Sequence, residues 1–149
     1  MNITYHSGGL TPGEYDALRL SVGWAAEHPE QSAATLEGSD VIIVARDVGE
    51  AVGMARIFSD GGANAYIEDV IVRPDHQKQG IARELVTRVL AHMRSTVKPG
   101  YRLKITNMSA EGLEGFYGSF GWESRPSPGH GHGMAMWYYG EGVKPRSNG

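Results

Sequence analysis

A polar loop at residues 77–82 has the composition and setting of a phosphate-binding segment. It reads Gln-Lys-Gln-Gly-Ile-Ala and joins a β-prone run to an amphipathic stretch of helical period. The first turn of a helix has backbone N–H groups without intrahelical acceptors and a partial positive charge, so it stabilises phosphate oxygens. Gly80 and the small Ala82 let a phosphate approach without a Cβ collision, and Lys78 adds a cation. The loop therefore predicts a pyrophosphate site.

The loop does not match the two common nucleotide motifs. It is neither G-x-G-x-x-G nor G-x-x-x-x-G-K-[ST], so dinucleotide and nucleoside triphosphate binding lose their main sequence support. Two alternatives stay open: a polar loop that only leads into a helix, and a nucleotide-binding domain of another kind.

Two acids, Glu68 and Asp69, precede the loop on the same β-prone run. Successive strand residues point to opposite faces, so one of the two is expected to look into a cleft. A carboxylate there could assist deprotonation of a substrate. The alternative is that both are solvated at the edge of the sheet.

His130-Gly131-His132 has the spacing of two metal ligands on one strand face. No third ligand is nearby in the sequence, and Gly129, Gly131 and Gly133 make the run mobile. We therefore expect no metal site, and a pocket-lining or lid role for residues 126–134.

These residues need a sheet and helices to position them. Helical spacing of Ile81, Leu85 and Val89 predicts a helix over 80–95, and Thr11, Pro12 and Glu14 predict the start of another. Shorter helices are expected at 29–37 and 111–119. The predicted strands are 3–6, 41–46, 51–58, 65–73, 101–106 and 134–139. This order predicts a mixed α/β (α+β) domain with a mostly antiparallel sheet of about six to seven strands and helices on both faces.

The bulk composition excludes several classes of protein. The 149 residues suit one domain, 1–149, with a loose Gly- and Pro-containing tail at 140–149. Cys 0 excludes disulfides and thiolate chemistry, and a net charge of -3 opposes nucleic-acid binding. No apolar run is long enough to cross a membrane, and the first residues lack a secretory signal, so we expect a cytoplasmic protein.

The motifs together resemble the GNAT superfamily of N-acetyltransferases. Val72-Arg73-Pro74 followed by the loop matches its V-x-P and [RQ]-x-x-G-x-[GA] signature, and residues 116–122, Phe-Tyr-Gly-Ser-Phe-Gly-Trp, look like its second landmark. The resemblance implies a GNAT-like splayed sheet and acetyl-CoA as cosubstrate, with the pyrophosphate at 77–83 and the pantetheine arm along 70–72. The implied contacts are Val70, Ile71, Val72, Gln77, Lys78, Gln79, Gly80, Ile81, Ala82, Arg83 and Tyr117.

The resemblance also implies catalytic roles. Tyr117 lies where family members carry a tyrosine that protonates the departing thiolate, although its aromatic ring could instead only pack against its neighbours. Similarity to polyamine-type acetyltransferases favours Glu68 as the base, with Asp69 in reserve. In many members a water chain suffices.

Two positions depart from the family pattern. Ala110 stands where an asparagine is often found seven residues before the tyrosine, and Asn107 is three residues too early. Arg102 lies near the place of a carboxylate in protein N-terminal acetyltransferases, which argues against a ribosomal-protein-type substrate.

The resulting prediction is transfer of an acetyl group to a primary amine by direct attack. The excess of acidic over basic residues favours a small cationic amine as the acceptor, and Trp24 and Glu68 are the candidate residues of its pocket. A protein lysine and a catalytically inactive CoA-binding sensor module are the alternatives. A homodimer through Met134, Met136 and Trp137 is a further expectation.

Overall fold

Five β-prone runs form one open sheet in the computed structural model, which describes residues 2–145 of the chain. The strands are β1 (Ile3–Ser7), β2 (Val41–Asp47), β3 (Glu50–Ser59), β4 (Asn64–Val72) and β5 (Lys104–Asn107). They lie in sequence order, and β1 to β4 pair antiparallel. At the start of β5, the amide of Lys104 donates to the carbonyl of Ala63 at 2.8 Å, so β5 begins beside the beginning of β4.

The predicted number of six to seven strands was too high. The run at 134–139 forms no strand, and its side chains are largely exposed, at 91% for Met134, 74% for Met136 and 88% for Tyr138. Residues of high β-propensity are stabilised in a strand by cross-strand neighbours and burial, and this run has neither. The other predicted features, a mixed α/β arrangement with a mostly antiparallel sheet and helices on both faces, are confirmed.

Residues 2–145 form three longer α-helices and one short α-helix. They are α1 (Pro12–Ser21), α2 (Pro29–Glu37), α3 (Ile81–Thr96) and α4 (Glu114–Gly118). At the start of α1 the Thr11 hydroxyl accepts from the Glu14 amide, and the Glu14 carboxylate accepts from the Thr11 amide, both at 3.1 Å. This is the predicted capping box, which satisfies two backbone donors at the helix end.

The sheet buries a different helix on each face. On one face Tyr15 and Leu18 of α1 pack with the cross-strand neighbours Val44, Met54 and Ile71. On the other face, a Cβ added to Gly53 would lie 3.3 Å from Leu85 of α3 and 3.0 Å from the carbonyl of Ile71. Helix α3 therefore rests directly on β3 at a residue without a side chain.

The described residues fall into two compact units that divide after Thr106. The first holds α1, α2, α3 and the sheet strands up to that residue, and the second holds α4. The single domain predicted for 1–149 stays a prediction, and part of the predicted loose tail, 146–149, lies outside the described residues. No helix in the described part of the chain has the length and apolar character needed to span a bilayer.

Candidate functional site

The loop between β4 and α3 presents an open helix N-terminus. Gly80 is the N-cap of α3 with a left-handed φ of 82°, and no side chain caps the helix. Apart from Gly80 and the backbone next to it, no described residue places an atom within 4 Å of the position where a Cβ of Gly80 would stand. The first intrahelical bond runs from the Glu84 amide to the Gly80 carbonyl at 3.1 Å, so the amides of Ile81 and Ala82 precede the helical ladder. This arrangement fits an incoming pyrophosphate.

One side chain of the loop hydrogen-bonds to the end of β4, and several others are accessible to solvent. The Gln77 side-chain amide donates to the Val72 carbonyl at 2.9 Å, which folds the loop back on the end of β4. Ile81 is buried beneath the helix, so its contribution to a ligand is limited to its backbone. Lys78, Gln79 and Arg83 are exposed, and Ala82 is half-buried. Lys78 holds a left-handed φ of 61°, a strained conformation for a residue with a side chain.

A histidine just before this loop contacts an aspartate at the end of β2, in the β2–β3 hairpin. His76 ends a 3₁₀ turn, Pro74–His76, and its imidazole lies 2.9 Å from both Asp47 and Asp75. Arg73 bonds Asp75 at 2.7 Å and Glu50 at 2.6 Å. The bond to Asp47, followed by the bond to Asp75, raises the pKa of His76.

Removal of this imidazole should destabilise the protein in a pH-dependent way. Because the folded-state pKa of His76 is raised, its stabilisation is complete below the unfolded pKa of ~6.5 and is lost as pH rises through the folded value. His76→Asn should therefore lower the urea midpoint more at pH 5.5 than at pH 9. The exposed His92 on α3 gives the matched control, His92→Asn. An equal loss at both pH values would show that the charged imidazole has no role.

The end of β4 carries a β-bulge. Met54 pairs with Ile71 and Arg56 with Glu68, so Asp69 and Val70 together oppose the single residue Ala55. Asp69 has a left-handed φ of 52°. Val70, the second residue of the bulge, is half-buried, while Ile71 and Val72 after it are buried.

The carboxylate of Asp69 is enclosed by three donors. The Tyr15 hydroxyl donates at 2.7 Å, Arg19 at 3.0 Å and Arg56 at 2.6 Å, and Asp69 is 5% exposed. Burial, followed by the charge of Asp69, raises the pKa of Tyr15 to about 12, so the phenol stays a donor at neutral pH. The carboxylate is thus occupied in joining α1 to β3 and β4.

Sequence reasoning did not identify Tyr15, Arg19 or Arg56 as parts of this site. A usable signal existed for the two arginines. Arg19 follows Tyr15 by four residues, so the two lie on one face of α1, and Arg56 shares the strand face of Met54. An arginine at a core-facing position indicates a buried acid, because buried charges require partners.

Glu68 is in a different environment from its neighbour. It is half-buried, and burial followed by the charge of Asp69 raises its pKa, while Arg56 opposes the shift. Across residues 2–145, no cationic side chain forms an ion pair with it. It lies directly opposite Arg56, which also bonds Asp69, so the bulge brings both acids to the α1 side of the sheet. The premise that these two consecutive side chains point to opposite faces was wrong, since strand alternation fails at a bulge.

Trp24 follows α1 and packs on the same side. The Arg19 guanidinium lies 5.5 Å from its ring centroid, and the ring packs against the core cluster of Leu18 and Met54. Trp24, Glu68, Asp69 and the loop therefore all belong to the first unit.

Tyr117 belongs to the second unit, on α4. It is 7% exposed and makes edge contacts with Phe116 at 5.1 Å and Trp122 at 5.7 Å between ring centroids. His130 forms an isolated bridge with Ser127, and no group of three metal-ligating side chains occurs among the described residues.

The match to a family model covers most of these residues. Residues 14–122 match the model of the acetyltransferase (GNAT) family. The chain is 27% identical to a GNAT family acetyltransferase structure from Streptococcus pneumoniae, with a TM-score of 0.72 over 93% of this chain and 98% of that one.

Two curated relatives have named substrates. Over 92 residues the chain is 32% identical to a chloroplastic serotonin N-acetyltransferase of Oryza sativa, covering 59% of this chain and 46% of the relative. Over 136 residues it is 28% identical to a histone acetyltransferase of Glycine max, and the match covers 83% of this chain and 57% of the relative. The chain spans about half the length of the curated relatives it matches.

Proposed function

This chain belongs to the GNAT acetyltransferase family, and on that premise we propose that it transfers an acetyl group from acetyl-CoA to a primary amine of a small molecule. The observation that carries the proposal is the open first turn of α3 at Gly80, placed directly after the bulged end of β4. Backbone amides at such a turn can hold the diphosphate of CoA, and the edge of 70–72 can accept the pantetheine arm as an added strand. The side chains of Lys78 and Arg83 add positive charge there.

The chemistry we propose needs one proton acceptor and one proton donor. Glu68 takes a proton from the ammonium of the acceptor, directly or through water, which frees the nitrogen lone pair. The nitrogen attacks the thioester carbonyl, the C–N bond forms and the C–S bond breaks. Tyr117 protonates the departing thiolate, the second proton of the nitrogen passes through solvent to the tyrosinate, and Glu68 releases its proton to solvent. The products are an amide, free CoA and one net proton.

Asp69 is unsuited to the role of base. Three donors already occupy its carboxylate, and a proton taken there would break bonds to two arginines. Glu68 has a raised pKa and no ion-pair partner among the described residues, so it is the better candidate of the two.

Replacement of Gly80 tests the CoA site. Gly80→Ala places a methyl group in the approach to the first turn, and we expect CoA affinity to fall at least tenfold, which corresponds to about 1.4 kcal/mol. Isothermal titration of CoA into the purified protein measures this. Gly61→Ala is the matched control, because Gly61 also has a left-handed φ, 75°, and open space around its Cβ position. Both variants carry a similar backbone cost, of ~1 kcal/mol. A folded wild-type protein that does not bind CoA at millimolar concentration would overturn the proposal.

Removal of the Tyr117 hydroxyl tests the proton donor. Tyr117→Phe keeps the ring contacts with Phe116 and Trp122, so the fold should persist. We expect kcat to fall about 100-fold, the range of general acid catalysis, with CoA affinity changed less than twofold. Release of free CoA measures the rate. Tyr101→Phe removes a hydroxyl from an exposed tyrosine as the control. Unchanged turnover would assign the proton donor elsewhere.

A protein lysine is the second candidate acceptor. It is supported by the similarity to a histone acetyltransferase over 83% of this chain. A lysine-containing histone peptide assayed beside small amines under the same conditions separates the two, because CoA release with the peptide alone would favour the lysine.

A further inference from the structure

An aromatic pair lies beside the proposed base on the sheet. Phe58 of β3 and Tyr66 of β4 are cross-strand partners whose rings stack with centroids 5.7 Å apart and planes 7° from parallel. Arg56 and Glu68, the next cross-strand pair on the same face, come two residues away on each strand. We call Phe58, Tyr66 and Glu68 the acceptor patch.

The aromatic rings of this patch remain accessible. Phe58 is 37% exposed and Tyr66 is half-buried, although both stand on a sheet whose neighbouring positions Ile57 and Ile67 are fully buried. An aromatic ring keeps exposed apolar area that a flat apolar group can cover, with offset or edge contact favoured. The pair therefore offers binding surface that the fold itself does not use.

The charges of the patch favour a cation at Glu68. The nearest arginine on this face, Arg56, donates to Asp69 at 2.6 Å, and its guanidinium lies 5.5 Å from the Phe58 ring. Asp69 thus has its counter-charges, whereas Glu68 has no ion-pair partner in the described part of the chain. Tyr66 lies close enough to Glu68 for the carboxylate to contribute to its raised pKa. A ligand ammonium would supply the missing counter-charge.

We infer that the acceptor is a primary amine carried on a flat aryl group by a short alkyl linker, with the aryl ring against Phe58 and Tyr66 and the nitrogen at Glu68. Positions 66 and 68 are ~6.7 Å apart along the strand, a span that suits such a linker. This inference rests on the proposed function, because it specifies the acceptor of the same reaction. Phe58 and Tyr66 are then specificity-determining residues.

A pair of matched amines tests the inference. 2-Phenylethylamine and 2-cyclohexylethylamine have the same carbon skeleton, but the second has a puckered ring without a π face. We expect the wild-type protein to acetylate the aryl amine with a kcat/KM about fivefold higher, in keeping with the energies of aromatic contacts. Phe58→Leu and Tyr66→Leu should each bring this ratio close to one. Tyr5→Leu, on β1 against Arg88, is the control and should leave the ratio unchanged.

The outcomes separate this inference from the proposed function. Turnover of both amines with equal kcat/KM, or a ratio that both leucine variants preserve, would overturn the aryl specificity while leaving acetyl transfer intact. If neither amine is acetylated, titration of 2-phenylethylamine into the CoA-saturated protein decides. Binding that Phe58→Leu weakens at least threefold would support the patch without the reaction, and no binding would overturn the patch.

Discussion

Asp69→Ala lowers the free energy of unfolding by about 3–5 kcal/mol, the largest effect that we expect from a single substitution in this protein. The substitution removes the carboxylate that Arg19 and Arg56 share and leaves both guanidinium groups and the Tyr15 hydroxyl without their common acceptor, although Arg19 keeps its ion pair with Glu27 at 3.1 Å. Both arginine side chains are 11% exposed, so water replaces the lost partner poorly. Urea denaturation at pH 7 measures the loss.

A surface carboxylate provides the comparison. Glu37 at the end of α2 is exposed, and Glu37→Ala should change stability by less than ~0.5 kcal/mol. A double-mutant cycle of Asp69→Ala with Arg56→Met isolates the pairwise contribution. A loss below ~1 kcal/mol for Asp69→Ala would contradict the view that this carboxylate holds α1 against the sheet.

Glu68→Gln lowers kcat about 100-fold if Glu68 accepts the proton of the acceptor amine, since a positioned general base contributes that much or more. The glutamine keeps the size and half-buried setting of the side chain but cannot take a proton. CoA release at saturating acetyl-CoA and amine measures kcat. Glu37→Gln serves as the matched control on α2. Turnover within threefold of wild type would indicate that a water chain performs the deprotonation.

The pH profile gives the same prediction a second readout. Burial and Asp69 raise the pKa of Glu68, so its basic form appears at higher pH than for an ordinary glutamate, and activity is lost as pH falls through that raised value. Asp69→Asn removes one negative neighbour, lowers the pKa of Glu68 and should shift the acidic limb to lower pH. The limb should disappear in Glu68→Gln. An acidic limb at the same pH in all three proteins would belong to another group.

The loop and helix at 77–96 were predictable from sequence because their signals are local. The glycine before α3 and the apolar residues four apart on α3 are signals that lie within one or two helical turns. The same holds for the capping box at Thr11, which marks the start of α1. The spacing of the V-x-P and Q-x-x-G-x-A elements carried the family resemblance, and the match over residues 14–122 confirms it.

The orientation of Glu68 and Asp69 was not predictable in the same way. Side chains alternate between the two faces of a strand only where its pairing with the neighbouring strand is uninterrupted. The bulge opposite Ala55 depends on how β3 and β4 pair, which local sequence does not determine. The partners of Asp69 lie 50 and 54 residues away on α1, beyond the reach of any local pattern. Similarly, the β-prone residues at 134–139 carry the composition of a strand, but composition does not supply a neighbouring strand.

The contact of α3 with β3 at Gly53 constrains how this sequence can diverge. A methyl group there would lie 3.0 Å from the Ile71 carbonyl and 3.4 Å from Ile81 of the first turn of α3. Any larger residue would have to lift the start of the helix away from the strand below it. A change at position 53 would therefore require both a loss of volume at Ile81 or Leu85 and a shift of the Ile71 carbonyl, so this position is under a stronger constraint than the helix residues that face it.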